Sequence, residues 1–281
     1  MRQPILIALL CGGAVVLSGC DQFGQTDVSR AIAESELDES GSIREIMLTV
    51  AEPREATAYF QRQMEQEPDN IEHIRGFGKS LVRGGRQAEA VLVWQKVVAH
   101  PDAEHADSVA LADVYIRTSD WASARATLDS VPPTYESFTR YRLEAMVADS
   151  AQQWERADSF YETALGLAPK PAGVLNNWGY SKLTRGDSDA AERLFTEAIT
   201  HNPDMFTAKN NLVLARAARR DYRLPVMPLD QEERARLLHT AGIAAVRQGD
   251  VDIGRNLLQD AIDTHPRHFE AAKNALAALD A

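Results

Sequence analysis

Residues 172–205 read AGVLNNWGYSKLTRGDSDAAERLFTEAITHNPDM, and this stretch decides the fold. It predicts a helix, a turn at Arg185–Asp187, and a second helix that ends before Pro203. One face of the second helix carries a small, a large and a small residue, which are Ala191, Phe195 and Ala198. Gly179 in the first helix has no side chain, so a neighbouring helix can approach it closely. The stretch is therefore predicted to be a packed helical hairpin.

The same features recur along the chain at an interval of about 34 residues. The small first-helix position holds Val213 in one unit and a small residue in the others, which are Gly78, Ala112, Ala145, Gly179 and Gly242. The small second-helix position holds Ala56, Ala90, Ala124, Ala157, Ala191 and Gly254. The large position after it holds Phe60, Trp94, Leu128, Tyr161, Phe195 and Leu258. This periodicity predicts an array of similar hairpins.

The pattern resembles the tetratricopeptide repeat. That resemblance implies an all-α fold, a right-handed superhelical solenoid of helix-turn-helix repeats, over residues 40–281. Pro225 and Pro228 prevent a second helix in the sixth unit, so a break is predicted at 221–230. A terminal capping helix is predicted at 268–281, because the last repeat of a solenoid needs a cover for its apolar face.

The first twenty residues have the layout of an export signal. Arg2 is followed by a 13-residue apolar run, Ile5–Leu17, which is shorter than the roughly 20 residues of a bilayer-spanning helix. The run ends in LSGC at Leu17–Cys20, which resembles a bacterial lipobox. We therefore expect a lipoprotein signal peptide at 1–19 and lipidation of Cys20. The alternative is a plain signal peptide with an incidental cysteine.

The segment that follows is polar and is predicted to be a flexible tether over residues 20–39. The chain has two cysteines, Cys11 and Cys20, so the mature form would have neither a free thiol nor a disulfide. These features favour the bacterial cell envelope, with the protein facing the periplasm. The outer membrane is favoured, but Asp21 after the lipidated cysteine resembles an inner-membrane retention signal.

Composition and motifs restrict the function classes. A formal net charge of −11 argues against nucleic acid or anionic lipid as the general partner. Gly76–Ser80 reads GFGKS but lacks the earlier glycine and the preceding strand of a phosphate-binding loop. His265 and His268 lack a nearby acidic or cysteine co-ligand. We expect no cofactor, no metal site and no catalytic residues.

The last 105 or so residues contain distinctive strings, namely NNWGYSKLTRGD at 176–187, FTAKNNLVLAR at 206–216, LPV at 224–226 and HPRHFEAA at 265–272. They resemble TadD-type lipoproteins of tight-adherence (Flp) pilus assembly. The resemblance implies a scaffold that helps an outer-membrane secretin to assemble. Two alternatives remain open: a scaffold lipoprotein of another envelope machine, such as outer-membrane protein insertion or cell-wall synthesis, and, less favoured, a periplasmic enzyme with a repeat domain.

The first helices are predicted to line a groove that binds an extended segment of a partner. One set of predicted groove residues is basic and comprises Arg75, Lys79, Arg83, Arg117 and Arg142. The other set is Asn176, Asn177, Tyr180, Asn210 and Asn211. Arginines suit an acidic part of the segment, and side-chain amides both donate to and accept from a peptide backbone. A solvated helix face is the alternative interpretation of the basic set.

Overall fold

The computed structural model describes residues 43–279, and all regular secondary structure in that range is helical. The first helix, α1, is described over residues 43–49. The remaining helices are α2 Pro53–Gln66, α3 Ile71–Arg83, α4 Gln87–Val98, α5 His105–Arg117, α6 Trp121–Asp129, α7 Phe138–Ser150, α8 Trp154–Leu167, α9 Ala172–Thr184, α10 Ser188–His201, α11 Phe206–Ala217, α12 Gln231–Arg247, α13 Val251–Thr264 and α14 Glu270–Ala277. The predicted signal peptide, tether and Cys20 lie outside the described residues.

Every unit after the first turns through one residue with positive φ. These residues are Gly85, Ser119, Gln152, Gly186, Arg220 and Gly249. A left-handed residue after a helix lets the chain reverse direction while its amide still bonds back to the last turn. In two of the hairpins an aspartate side chain then caps the second helix: Asp120 accepts a hydrogen bond from the amide of Ser123, and Asp187 accepts one from the amide of Ala190. Local sequence therefore fixes both the end and the start of the paired helices.

The two helices of a hairpin pack a small residue against a large one. A Cβ placed on Gly179 would lie 2.7 Å from Cε1 of Phe195, and one on Gly242 would lie 3.0 Å from Cγ of Leu258. The six large residues are all buried, namely Phe60, Trp94, Leu128, Tyr161, Phe195 and Leu258. The register predicted from the sequence is confirmed, and the chain is an all-α repeat solenoid.

The sixth unit has a first helix, α11, and no second helix. Residues 218–230 contain no regular structure, in the range where two prolines stand. The buried Tyr222 and the partly buried Leu224 pack with α11 and α12, and Met227 packs against the cluster around Phe195. These side chains cover part of the apolar surface that a second helix covers elsewhere. Val213 occupies the small position of this unit and packs with Tyr222 and with Leu237 and Ala241 of α12.

Candidate functional site

The five predicted basic residues, which we call the arginine face, are Arg75, Lys79, Arg83, Arg117 and Arg142. Arg75 on α3 contacts both carboxylate oxygens of Asp107 on α5, at 2.8 and 2.6 Å. It also contacts Glu72 at 2.5 Å, and its side chain is 12% exposed. The hydrogen bond to Asp107 raises the pKa of Arg75 above its usual range, although burial opposes this. Arg75 therefore links two neighbouring repeats.

The other arginines of this face also have partners within the chain. Asp113 on α5 lies between Arg117, at 2.6 Å, and Arg142 of the next first helix, at 3.5 Å. Arg83 donates to the carbonyl oxygens of Met47 and Ala51, at 2.9 and 2.8 Å. Lys79 is exposed. The structure thus places four of the five cations in contacts that connect helices or neighbouring turns, while their predicted role in binding a partner stays a prediction.

The asparagines lie on neighbouring first helices, as the sequence predicted, but they do not all share one site. Asn176 on α9 accepts a hydrogen bond of 3.0 Å from Nδ2 of Asn211 on α11, and both side chains are buried. Asn177 contacts Sδ of Met146 on α7 at 3.5 Å. Asn210 faces a different cavity, beside α12, and accepts a hydrogen bond of 2.8 Å from Thr240. The amides therefore divide between two places.

A cavity of about 470 Å³, which we call the amide groove, lies across α7, α9 and α11. Its lining includes four of the predicted residues, Asn176, Asn177, Tyr180 and Asn211. Tyr180 is 54% exposed, whereas Asn176 is 7% exposed, so the groove has a buried amide floor and an open aromatic side. An open cavity of this size can accommodate a short segment of a partner chain.

The groove also contains residues that the sequence analysis did not assign to a site. These are Trp121, Met146, Asp149, Trp154, Tyr161 and Ser181. Trp121 and Trp154 are the first residues of α6 and α8, so the turn before each of these helices brings an indole to the groove. Their recurrence at equivalent turn positions is the signal in the sequence that could have indicated them.

Asp149 is the carboxylate of the groove. Its Oδ1 accepts a hydrogen bond of 2.7 Å from Ser181, and its Oδ2 accepts one of 2.9 Å from Tyr161. Burial raises the pKa of Asp149, against the lowering effect of these two hydroxyls. Among the ion pairs within residues 43–279, none includes Asp149. The groove thus holds a half-buried acid bonded only to neutral groups.

A second carboxylate nearby, Asp158 on α8, has the opposite environment. It accepts a hydrogen bond of 2.6 Å from Nε1 of Trp178, and it pairs with Lys182 at 2.9 Å and with Arg185. Burial alone would raise the pKa of Asp158, but these hydrogen bonds together lower it. The Arg185 guanidinium also lies 5.5 Å from the ring centre of Trp154. Lys182 and Arg185 are therefore already paired with Asp158.

Residues 43–279 contain no group of three or more His, Cys, Asp or Glu side chains that could hold a metal ion. His265 contacts the Arg267 backbone, and His268 contacts Glu270. Within the same range, no helix has both the length and the apolar character that crossing a bilayer requires.

A family model described as the tetratricopeptide repeat matches residues 176–223 and 239–280. The two matched segments are tetratricopeptide repeats. The first matched segment begins at the groove asparagine Asn176 and includes α10, α11 and the irregular segment as far as Arg223. No curated protein matches the chain significantly.

Solved structures share the tetratricopeptide fold at low sequence identity. The APC/C hetero-tetramer Cut9–Hcn1 matches with a TM-score of 0.62 and 11% identity, over 84% of this chain and 47% of that chain. A tetratricopeptide repeat protein from Parabacteroides merdae matches with a TM-score of 0.57 and 15% identity, over 87% and 98%. A human IFIT1 dimer with m7Gppp-AAAA gives 0.59 and 16%, over 81% and 58%. This chain therefore spans about half the length of the first of these.

These likenesses to solved structures show the fold. The tetratricopeptide fold is generally a non-catalytic scaffold for protein–protein interaction. An open groove along stacked first helices, with amides and aromatic side chains, agrees with such a use. The predicted scaffold role is confirmed at this level.

Proposed function

We propose that this chain is a lipid-anchored periplasmic scaffold that holds an extended segment of a protein partner in the amide groove and supports secretin assembly for a Flp-type pilus. The observation that carries the binding role is the cavity of about 470 Å³ with Asn176, Asn177 and Asn211 in its lining. The pilus role and the anchor are supported by the sequence strings at 176–187 and 206–216 and by LSGC at 17–20.

The amides favour a peptide backbone as the ligand. A primary amide has two donor hydrogens and a carbonyl acceptor, so it matches the alternating groups of an extended strand without reading its sequence. Asn211 donates one of its two amide hydrogens to the side-chain oxygen of Asn176. Both side chains therefore keep further hydrogen-bonding capacity. Exposed polar contacts contribute little individually, so the affinity of such a groove comes from several of them together.

A pull-down with groove variants tests the binding role. We expect Asn177→Ala/Tyr180→Ala to recover much less partner from detergent-solubilised envelopes than the wild-type chain does, with the proteins identified by mass spectrometry. Asn210→Ala is the matched control, because Asn210 lies on α11 and faces the other cavity. Equal recovery by all three proteins would show that the partner binds elsewhere on the solenoid.

The lipid anchor has its own test. A cysteine at the end of a lipobox is the residue that accepts a diacylglyceryl group, and two or more acyl chains give stable membrane attachment. Cys20→Ala should therefore remove labelling by radioactive palmitate and release the protein from membranes. Labelling at the wild-type level in that variant would reject the anchor at Cys20.

The pilus role is tested in the cell. Deletion of the gene should reduce both heat-resistant secretin multimers and surface pili, because an unassisted secretin would assemble poorly or at the wrong membrane. Complementation with the wild-type gene is the control. Wild-type levels of both in the deletion strain would favour a scaffold of another envelope machine, such as outer-membrane protein insertion or cell-wall synthesis, and the pull-down would then name that partner.

A further inference from the structure

The amide groove contains a charged group that the backbone-binding role does not use. The Asp149 carboxylate lines the cavity, and each of its oxygens accepts one hydrogen bond, from Ser181 and from Tyr161. A carboxylate oxygen has two lone pairs, so both oxygens can accept a further donor. Burial disfavours this carboxylate, and the nearby charge of Arg185 is itself bonded to Asp158, so a further cation would stabilise Asp149.

The walls beside Asp149 suit the rest of a basic side chain. Trp121, Trp154 and Tyr180 line the same cavity, and Trp121 and Tyr180 are 36% and 54% exposed. Aromatic faces attract cations, and the methylene stem of lysine or arginine packs on apolar surface while its charged end reaches a polar partner. Arg185 covers one ring, that of Trp154, and is itself paired with Asp158.

We propose that the amide groove selects a partner segment that carries a lysine or arginine side chain, whose cation binds Asp149 and whose stem lies against Trp121 and Tyr180. This inference rests on the proposed scaffold function and specifies the chemistry of the segment. Among the described residues that line the groove, Asp149 is the one acid and none is a lysine or arginine, so the lining offers a negative charge to an incoming segment.

Two synthetic peptides test this selection. They are Ac-Ser-Val-Arg-Val-Ser-NH₂ and the same peptide with citrulline, which keeps the shape of arginine and removes its charge. Binding to the full chain is followed by tryptophan fluorescence, because Trp121 and Trp154 line the groove. The arginine peptide should bind about tenfold more tightly, as expected for one charge-assisted contact.

Variants test whether the preference for the arginine peptide arises in the amide groove. Asp149→Asn keeps the size of the side chain and should reduce the ratio of the two affinities to about one. Tyr180→Leu changes an exposed residue, so the fold should be unchanged. It should weaken binding of the arginine peptide roughly threefold. Glu162→Gln is the matched control, since it removes the same charge from an exposed position of α8 outside the groove lining, and its ratio should equal that of the wild type.

Equal affinities of the two peptides for the wild-type chain would overturn the inference, as would an undiminished ratio in Asp149→Asn or no binding of either peptide. The pull-down separates this failure from a failure of the proposed function. If a chain that shows no preference for the arginine peptide still recovers the partner, the scaffold function remains supported. Only the binding of a cationic side chain by Asp149 is then rejected.

Discussion

The arginine face and the amide groove lie on the same row of first helices, and their polar groups are used in opposite ways. In the arginine face, Arg75 contacts two acids of its own chain at 2.5 to 2.8 Å. In the amide groove, Asp149 is bonded only to two hydroxyls, and Tyr180 is 54% exposed. The first region holds neighbouring repeats together, and the second retains hydrogen-bonding capacity beside an open cavity.

The difference shows that charge alone does not identify a binding surface. A ligand carboxylate could reach Arg75 only by displacing Asp107, whose side chain is 6% exposed and would then be a buried, unpaired charge. Removing one partner of a buried ion pair costs several kcal/mol, more than a replacement contact returns. Groups without a charged partner in their own chain are therefore the better candidates for recognition.

The largest effect is expected from Arg75→Met. This change leaves Asp107 buried without its cation, although the Glu104 amide still donates to it at 2.8 Å. We expect the free energy of unfolding to fall by about 3 kcal/mol, measured by urea denaturation. Arg117→Met is the control, because that arginine is 46% exposed and its pair contributes about 0.5 kcal/mol or less. Similar losses in the two variants would contradict the distinction between buried and exposed pairs.

Gly179→Leu should have the next largest effect, because it disturbs the hairpin that supports the groove. Its Cβ would lie 2.7 Å from Cε1 of Phe195, and overpacking of this kind costs about 1 to 3 kcal/mol. The opposite sign is expected for Gly166→Ala on α8, where an added Cβ meets nothing within 4 Å and helix propensity favours alanine. Thermal unfolding of both variants measures the contrast. An unchanged melting temperature in Gly179→Leu would contradict the close packing.

The sequence was sufficient to predict the solenoid because the same local features recur from repeat to repeat. A turn residue, a small residue and a large residue recur, so an ambiguity in one hairpin is removed by its neighbours. The break in the sixth unit could also be predicted, because Pro225 and Pro228 exclude a helix in any tertiary context. The packing of Met227 and Tyr222 in the space of the missing helix could not be predicted from the sequence. It depends on how the neighbouring helices are arranged in three dimensions.

The candidate site was only partly predictable from the sequence. Equivalent positions placed Asn176 and Asn211 on adjacent helices, and their side chains do meet, at 3.0 Å. Position alone could not show that Arg75 is bonded to Asp107, because an acid 32 residues away is close only after the repeats stack. Asp149 was missed for the same reason: its environment is made by Ser181 of the next repeat and Tyr161 of its own hairpin.

A smaller loss of stability is expected when one of the two buried amides that bond to each other is removed. Asn176→Ala leaves Nδ2 of the buried Asn211 without its acceptor, and we expect a loss of roughly 1 to 2 kcal/mol in the free energy of unfolding. Partner recovery should fall as well, because Asn176 lines the groove. Asn210→Ala, whose hydrogen bond to Thr240 is only partly buried, should cost less and leave recovery intact. A larger cost in Asn210→Ala would contradict the assignment of the two amides.

The smallest effect is a gain in stability from Asp149→Asn. Burial raises the pKa of Asp149 in the folded chain, and the charge of Asp158 adds to this rise, whereas the hydroxyls of Ser181 and Tyr161 and the charge of Arg185 oppose it. A raised carboxyl pKa means that the folded state binds the proton more tightly than the unfolded chain. Its favourable contribution is therefore present below the unfolded pKa of about 4 and is lost as the pH rises through the folded value. At neutral pH the ionised Asp149 disfavours folding.

Asp149→Asn should accordingly raise the melting temperature at pH 7, and the difference from the wild type should shrink as the pH falls towards 4. Asp158→Asn is the matched control with the opposite sign. The pKa of Asp158 is lowered, so its carboxylate stabilises the fold above the unfolded pKa, and the substitution should lower the melting temperature at pH 7. If both variants melt below the wild type at pH 7, Asp149 is a structural acid like Asp107. The amide groove would then lose its contrast with the arginine face.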